Sequence, residues 1–244
     1  MKSKKNERFI YDHDVPVGYY DKVYRIKKGI QSKWHNQKFD FVKKKMKNYK
    51  NHLDFGCSAG TFIGCLDEKK KSIGIDISTD QINYAKKKYK RKKHNFLFSK
   101  LPLPFRDKSF DVITFLEVIE HCDDIQNNQT IKEFYRLLKP NGILIITTPN
   151  YSSFWPLLEK IISFIGSIDY RKQHIKKFNK KKLNNFLKLN KFIKVESKTF
   201  IYLAPFLASI SWKLSGYIEK IENKFFKTNF GFLLCGIFTK KNRI

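Results

Sequence analysis

Between residues 51 and 150, short apolar runs alternate with stretches whose apolar positions recur at helical spacing. Residues 52–55, 72–77, 95–99, 111–116 and 143–147 read as strands. Residues 61–66, 79–89 and 131–138 read as helices between them; Ile82 and Ala85 fall on one helical face. Pro140, Asn141 and Gly142 form a turn into the fifth strand. Strands separated by helices imply βαβ units and a parallel sheet. The strand C-termini then share one edge, where ligands bind.

The flanks differ. Residues 1–50 are polar and aromatic-rich, with Tyr19, Tyr20, Tyr24, Trp34 and His35, then a helix through 39–46. After Pro149, residues 151–168 and 201–216 are apolar and partly helical, with basic residues 170–189 between them. Residues 192–195 and 231–238 read as two further strands, the second closing the sheet as an antiparallel edge. The expected fold is α/β: a Rossmann-like, mostly parallel seven-stranded sheet with helices on both faces, an antiparallel edge strand and a helical cap. No internal repeat and no Pro/Gly/Ser linker interrupts the chain, so 1–244 reads as one domain. Within it, 1–50 is an N-terminal cap segment, 51–150 a ligand-binding core, and 151–244 a substrate cap with C-terminal strands. Tyr19, Tyr20, Trp34, Phe154 and Trp155 read either as ordinary core or as a lid over a substrate.

The densest local signal is Leu53-Asp54-Phe55-Gly56-Cys57-Ser58-Ala59-Gly60-Thr61, a strand running through two glycines into a helix. Glycine permits positive φ and close approach of backbone to ligand, and the following helix start offers unpaired N–H groups. Asp54 near the strand end suits a cationic amino group. Asp76, 22 positions later in Gly74-Ile75-Asp76-Ile77-Ser78, ends the next strand. A carboxylate there can accept both hydroxyls of a ribose. Ser78 and Gln81 form a capping-box pattern for the next helix. The same Gly56-x-Ser58-x-Gly60 matches a hydrolase nucleophile elbow. That alternative makes Ser58 a nucleophile, with Asp111 and His121 or His174 as partners. It gives Asp76 no task, and no oxyanion loop precedes it.

Four stretches, LDFGCSAGTF, GIDIS, LPLPFRDKSFDVITFLEVIEH and LLKPNGILIITTPN, resemble in order and spacing the class I S-adenosylmethionine (SAM) dependent methyltransferases. The resemblance is to the branch with ubiquinone-biosynthesis O-methyltransferases. It covers residues 51–150 well and continues weakly through QHIKKFNKKKLNNFLKLNKF. It implies that Asp54, Gly56, Cys57, Ser58 and Gly60 line the methionine part of SAM, that Asp76 holds the ribose, and that Ile77 packs beside the adenine. Leu116 would end the fourth strand beside the transferable methyl. Relatives often place an acidic residue after the third strand; here Ser99 and Lys100 stand there, which leaves adenine recognition to backbone groups or weakens it. The resemblance also implies Mg2+ on Glu117, Glu120 and His121, because catechol-methylating relatives carry a similar E-x-x-E-H. The same loop occurs without metal, where His121 can act as general base; His174 is a second candidate base.

Composition adds partners. The net charge is +28. Lysine runs at 43–45, 69–71, 86–88 and 180–182 read first as solvated faces, and second as attraction to nucleic acid or anionic lipid. A base-directed NPPY motif, a Pro-Cys nucleophile and an appended RNA-binding module are all missing, which weighs against an RNA-directed enzyme. The apolar stretches suit a small-molecule or lipid-like acceptor, with peripheral contact to an anionic membrane. No apolar run reaches the roughly 18–20 residues of a spanning helix. Cys57, Cys65, Cys122 and Cys235 lack metal-ligand spacing and read as free thiols. No signal peptide is visible, so the expected location is cytoplasmic, at or near the inner membrane face.

Overall fold

The computed structural model describes residues 15–46, 48–165, 173–226 and 228–240. In chain order the elements are α1 (Tyr19–Arg25), α2 (Gly29–Lys45), β1 (Asn51–Phe55), α3 (Thr61–Gly64), β2 (Lys71–Asp76) and α4 (Thr79–Tyr89). There follow β3 (His94–Phe98), β4 (Phe110–Leu116), a 3-10 turn (Ile119–His121), α5 (Asp124–Leu137), β5 (Leu138–Pro149) and α6 (Trp155–Ile165). The chain continues through α7 (Lys180–Leu189), β6 (Phe192–Phe200), α8 (Ala204–Leu207), α9 (Trp212–Phe225) and β7 (Leu233–Lys240).

The seven strands form one sheet in the order β3-β2-β1-β4-β5-β7-β6. β1 to β5 are mutually parallel, and β7 runs antiparallel to both β5 and β6. The expected antiparallel strand is thus β7. It lies one place in from the edge, and β6 takes the outer position.

Period-two alternation sorts the core onto two faces. Leu53, Ile113, Phe115, Leu144 and Ile146 pack with Phe134 and Leu137 of α5 and Leu183 and Leu187 of α7. Val112 and Ile145 point the other way, onto Trp34, Phe39 and Val42 of α2. On that same face Ile82, Ala85 and Tyr89 of α4 close over Phe96 of β3.

Two helices start earlier than apolar spacing indicates. α5 begins at Asp124 because Asp123 and Gln126 form a reciprocal capping box, a polar signal. α2 begins at Gly29 and buries Ser32, Lys33, Gln37 and Lys38, so much of its inner stripe is polar. Pro140 to Gly142 lie within β5: pairing jumps from Phe110↔Leu138 to Val112↔Ile143, and Asn141 takes φ 63° in the bulge. Of the apolar stretch 151–168, the last three positions lie outside the described residues; so do 170–172 of the basic stretch.

α1 is strapped to α4. The fully buried Asp21 accepts from Tyr84 Oη at 2.9 Å, from Tyr89 and from Lys88, and pairs with Arg25. Gly18 N donates to Gln81 Oε1 at 3.1 Å. These bonds hold Tyr20 and the start of α2 over the C-terminal edge of the sheet.

Candidate functional site

A cavity of about 590 Å3 opens at that edge. Its walls come from the turn after β1, the ends of β2 and β4, α2, α6, α8 and residues 173–175. The size falls within the range of small-molecule sites.

The glycine turn forms one wall. Gly56, Ser58 and Gly60 all have positive φ, at 76°, 47° and 73°. A side chain at Gly56 would strike Val118 Cγ2 at 2.6 Å. Ser58 N donates to Asp76 Oδ2 at 2.7 Å, and Ser78 N donates to Oδ1 at 2.9 Å. Asp76 therefore anchors both loops and stands on the cavity wall beside Ile77. Asp54, Cys57 and Leu116 also line the cavity. Gly60 does not face it: the space above its Cα is taken by Phe96 and Ala85, so its role is to let the turn pack on the core.

Asp54 is held from behind. Thr114 Oγ1 donates to Asp54 Oδ1 at 2.6 Å, and His52 Nε2 lies 2.8 Å from the same hydroxyl. With the threonine proton given to Asp54, His52 donates through Nε2 and accepts at Nδ1 from Ser72 Oγ, 3.2 Å away. Burial lifts the Asp54 carboxyl to about 7 and drops His52 to about 3.

These residues fit SAM. The turn leaves no room for a side chain at Gly56, Asp76 offers a carboxylate of about four acceptor sites, and Thr61 Oγ1 on the wall is buried without a hydrogen-bond partner among the described residues.

The E-x-x-E-H cluster does not assemble as expected. Glu117 adopts φ 54° before the 3-10 turn begins, and this swings its side chain back to α2. There it accepts from Trp34 Nε1 at 3.0 Å and pairs with Lys38. Burial acts to raise its pKa, but the charges of Lys38 and His35 and the two hydrogen bonds hold it below the usual carboxylate range. His174 takes its place. One ligand atom each from Glu120, His121 and His174 lie within 4.8 Å of one another. Two imidazoles and one carboxylate do not fit Mg2+, which favours octahedral oxygen donors.

Glu120 is fully buried, and neither carboxyl oxygen meets hydrogen-bond geometry with a described partner. Burial raises it to about 7. Burial, with the neighbouring His174, lowers His121 to about 3, and His121 Nδ1 lies 3.0 Å from Gln173 O. His174 Nδ1 sits 2.5 Å from Glu159 Oε1 on α6, and Tyr151 Oη donates to the same oxygen at 2.6 Å. Burial pushes Glu159 up, but the bonds from His174 and Tyr151 outweigh it and keep the carboxyl low. Sequence reasoning missed Glu159. Its signal was a single acid inside the apolar run WPLLEKIISF.

The Ser58 hydrolase alternative fails on topology. Asp111 lies at the start of β4, where it accepts from Asn51 N at 2.7 Å and from Lys139. β1 and β4 are parallel, so Asp111 is a strand length, about 17 Å, from the edge that carries Ser58. Of the lid candidates, Tyr20, Trp34 and Trp155 line the cavity, with the two indoles 5.2 Å apart. Phe154 faces out, and Tyr19 bonds Gln31.

Residues 53–146 match the family described as methyltransferase domain. A ubiquinone biosynthesis O-methyltransferase of Rickettsia canadensis is 30% identical over 172 residues, 68% of this chain and 71% of that protein. One of the same name from Pelagibacter ubique is 39% identical over 110 residues, 44% of this chain and 45% of that protein. The chain spans under half the length of several relatives it matches, 40%, 49% and 45% for three of them. A solved Pyrococcus horikoshii protein superposes with a TM-score of 0.65 at 20% identity, over 93% of this chain and 100% of that one, which shows a shared fold. With its sheet order, its Asp76-anchored glycine turn and these relatives, the chain belongs to the class I SAM-dependent methyltransferases.

Proposed function

We propose that this protein transfers a methyl group from SAM to an oxygen of a small, largely apolar ring acceptor. The observation that carries this reading is one cavity with two chemically distinct ends. One end holds Asp54, Asp76 and the glycine turn; the other holds Glu120, His121 and His174; Trp34, Phe62, Trp155, Leu158 and Phe206 supply apolar walls, and Glu159 bonds His174 from outside the lining. When bound, SAM supplies a methyl on a positively charged sulfur, a carbon with an excellent leaving group.

The chain's residues then have three tasks. Asp76 accepts the ribose hydroxyls, and Asp54 in its charged form draws the methionine ammonium, which fixes the reacting carbon near Leu116. The aromatic walls exclude water and hold a flat acceptor. Glu159 accepts from His174 Nδ1–H, so the imidazole receives the acceptor's hydroxyl proton at Nε2. Buried Glu120 beside it favours the resulting imidazolium.

The names of the relatives support oxygen as the target and a quinone-like or other lipid-like acceptor. Work in the cytoplasm at the inner membrane face fits such a substrate. An RNA acceptor fits this wall of large apolar side chains less well. The test is incubation with SAM and a set of prenylated and unprenylated catechols, with mass spectrometry of products. An O-methylated catechol formed together with S-adenosylhomocysteine supports the reading. SAM binding with no turnover of any phenolic acceptor, alongside methylation of RNA, would overturn it.

A further inference from the structure

α9 is built inside out. Its inward face is polar: Ser215 Oγ donates to Ala204 O at 2.6 Å, Glu222 Oε1 accepts from Leu203 N at 2.6 Å and Ala204 N at 3.0 Å, and Glu219 pairs with Lys33 at 2.7 Å. Its apolar residues Leu214, Tyr217 and Phe225 are exposed, with Phe225 at 66%. Their offsets of 3 and 11 place them in one stripe. Leu203, Ile210 and Phe230, beside the helix in sequence, are exposed as well, Ile210 at 81%.

The charge on this helix is one-sided. Lys213, Lys220 and Lys224 are exposed, and recur at helical spacing beside the apolar stripe. No ion pair joins any of them among the described residues, while both acids of the helix, Glu219 and Glu222, are engaged inward. A protein partner would need a matching apolar groove with an acidic rim. A bilayer bearing anionic headgroups provides both features at once: acyl chains for the stripe and phosphates for lysines whose stems lie along it. The patch also reaches the cavity, because Pro205 and Phe206, two and three residues after exposed Leu203, line its wall.

We propose that α9, with the exposed Leu203, Ile210 and Phe230 beside it, forms a docking surface for an anionic lipid bilayer. The helix lies in the interface plane, its apolar stripe at the headgroup–acyl boundary and its lysine row at the phosphates. The cavity mouth beside α8 then faces the membrane. This surface stands whichever methyl acceptor the enzyme uses.

The test is cosedimentation of the full chain with phosphatidylcholine vesicles, with and without phosphatidylglycerol. The wild type is expected to sediment with the anionic vesicles only, and to be released by high salt. The triple variant Lys213→Gln, Lys220→Gln, Lys224→Gln should bind them about 100-fold more weakly, from the contribution of each lysine near an anionic surface. The variant Leu214→Ser, Tyr217→Ser, Phe225→Ser should lose binding even at low salt. The lysine variant changes only solvated groups, so it stays informative should the apolar variant fail to fold. Equal binding by the lysine variant and the wild type overturns the proposal, as does a wild type that ignores anionic vesicles. So does a dimer, seen by sedimentation velocity without lipid, that the apolar variant dissolves. SAM affinity measured on the same samples separates this outcome from a failure of the methyltransferase reading.

Discussion

The backbone N–H of Ser58 donates to Asp76 Oδ2 at 2.7 Å and so ties the turn after β1 to the end of β2. A residue with positive φ is held in place by the same carboxylate that stands on the cavity wall. Asp76→Ala removes the proposed ribose acceptor and loosens the turn together. Two hydrogen bonds to a charged group, each worth about 1.5–3 kcal/mol, make the expected loss of SAM affinity about 100-fold or more by calorimetry. Unchanged affinity would move the cofactor away from this turn.

Gly56→Ala meets two obstacles, a φ of 76° and Val118 Cγ2 at 2.6 Å from the new Cβ. The expected cost is about 1–3 kcal/mol, or several degrees in thermal midpoint, with weaker SAM binding. Adding Val118→Ala removes the collision and leaves the backbone strain, so it should restore part of the midpoint. A midpoint that stays at the wild-type value in Gly56→Ala contradicts this account.

Asp54 is expected to make SAM binding pH-dependent. Burial lifts its carboxyl to about 7, and a bound ammonium favours the charged form. Below about pH 7 binding must expel a proton, so affinity falls as pH drops, by at most about tenfold per pH unit. Asp54→Asn should flatten the profile measured from about pH 6 to 8. In the unliganded protein the sign is opposite for stability. The folded state holds this proton between about pH 4 and 7 while the unfolded chain has lost it. That contribution to stability therefore declines as pH rises through the window.

Loss of the base should separate chemistry from binding. His174→Gln is expected to lower kcat by about 10²–10⁴ with SAM affinity kept. Glu159→Gln, which acts only through His174, should lower kcat less and shift the pH profile of turnover. Equal loss of SAM affinity in both variants would mark the pair as structural.

The donor set makes a prediction about Mg2+. With Glu117 committed to Lys38 and Trp34, added Mg2+ is expected to leave turnover unchanged in a steady-state assay. A several-fold activation abolished by Glu120→Gln would show that the cluster takes Mg2+ despite its nitrogen donors.

Much of the site was legible because it is local. Asp54, Gly56, Ser58 and Asp76 sit at strand ends or in the turn that follows, and a strand end is readable from a few consecutive residues. Helix α4 was legible too, since its apolar spacing and its Ser78 cap agree. Glu117 misled because the resemblance to an E-x-x-E-H loop implies one ligand set shared with Glu120. The helical geometry starts only at Ile119, after a left-handed residue has turned Glu117 away. The early turns of α2 and the polar underside of α9 escaped because their buried groups are Lys33, Lys38, Ser215 and Glu222, which periodicity of apolar residues cannot register.

By itself the sequence determined the alternation of strand and helix, the glycine turn, the acid at the end of the second strand and the family, because each depends on neighbours along the chain. Tertiary structure alone decided that His174 and Glu159 join Glu120 and His121, that Asp111 lies at the far end from Ser58, and that β7 slips between β5 and β6. Those relations join residues tens of positions apart. They depend on which side chains burial forces together and on where parallel strands begin and end, and no local spacing encodes either.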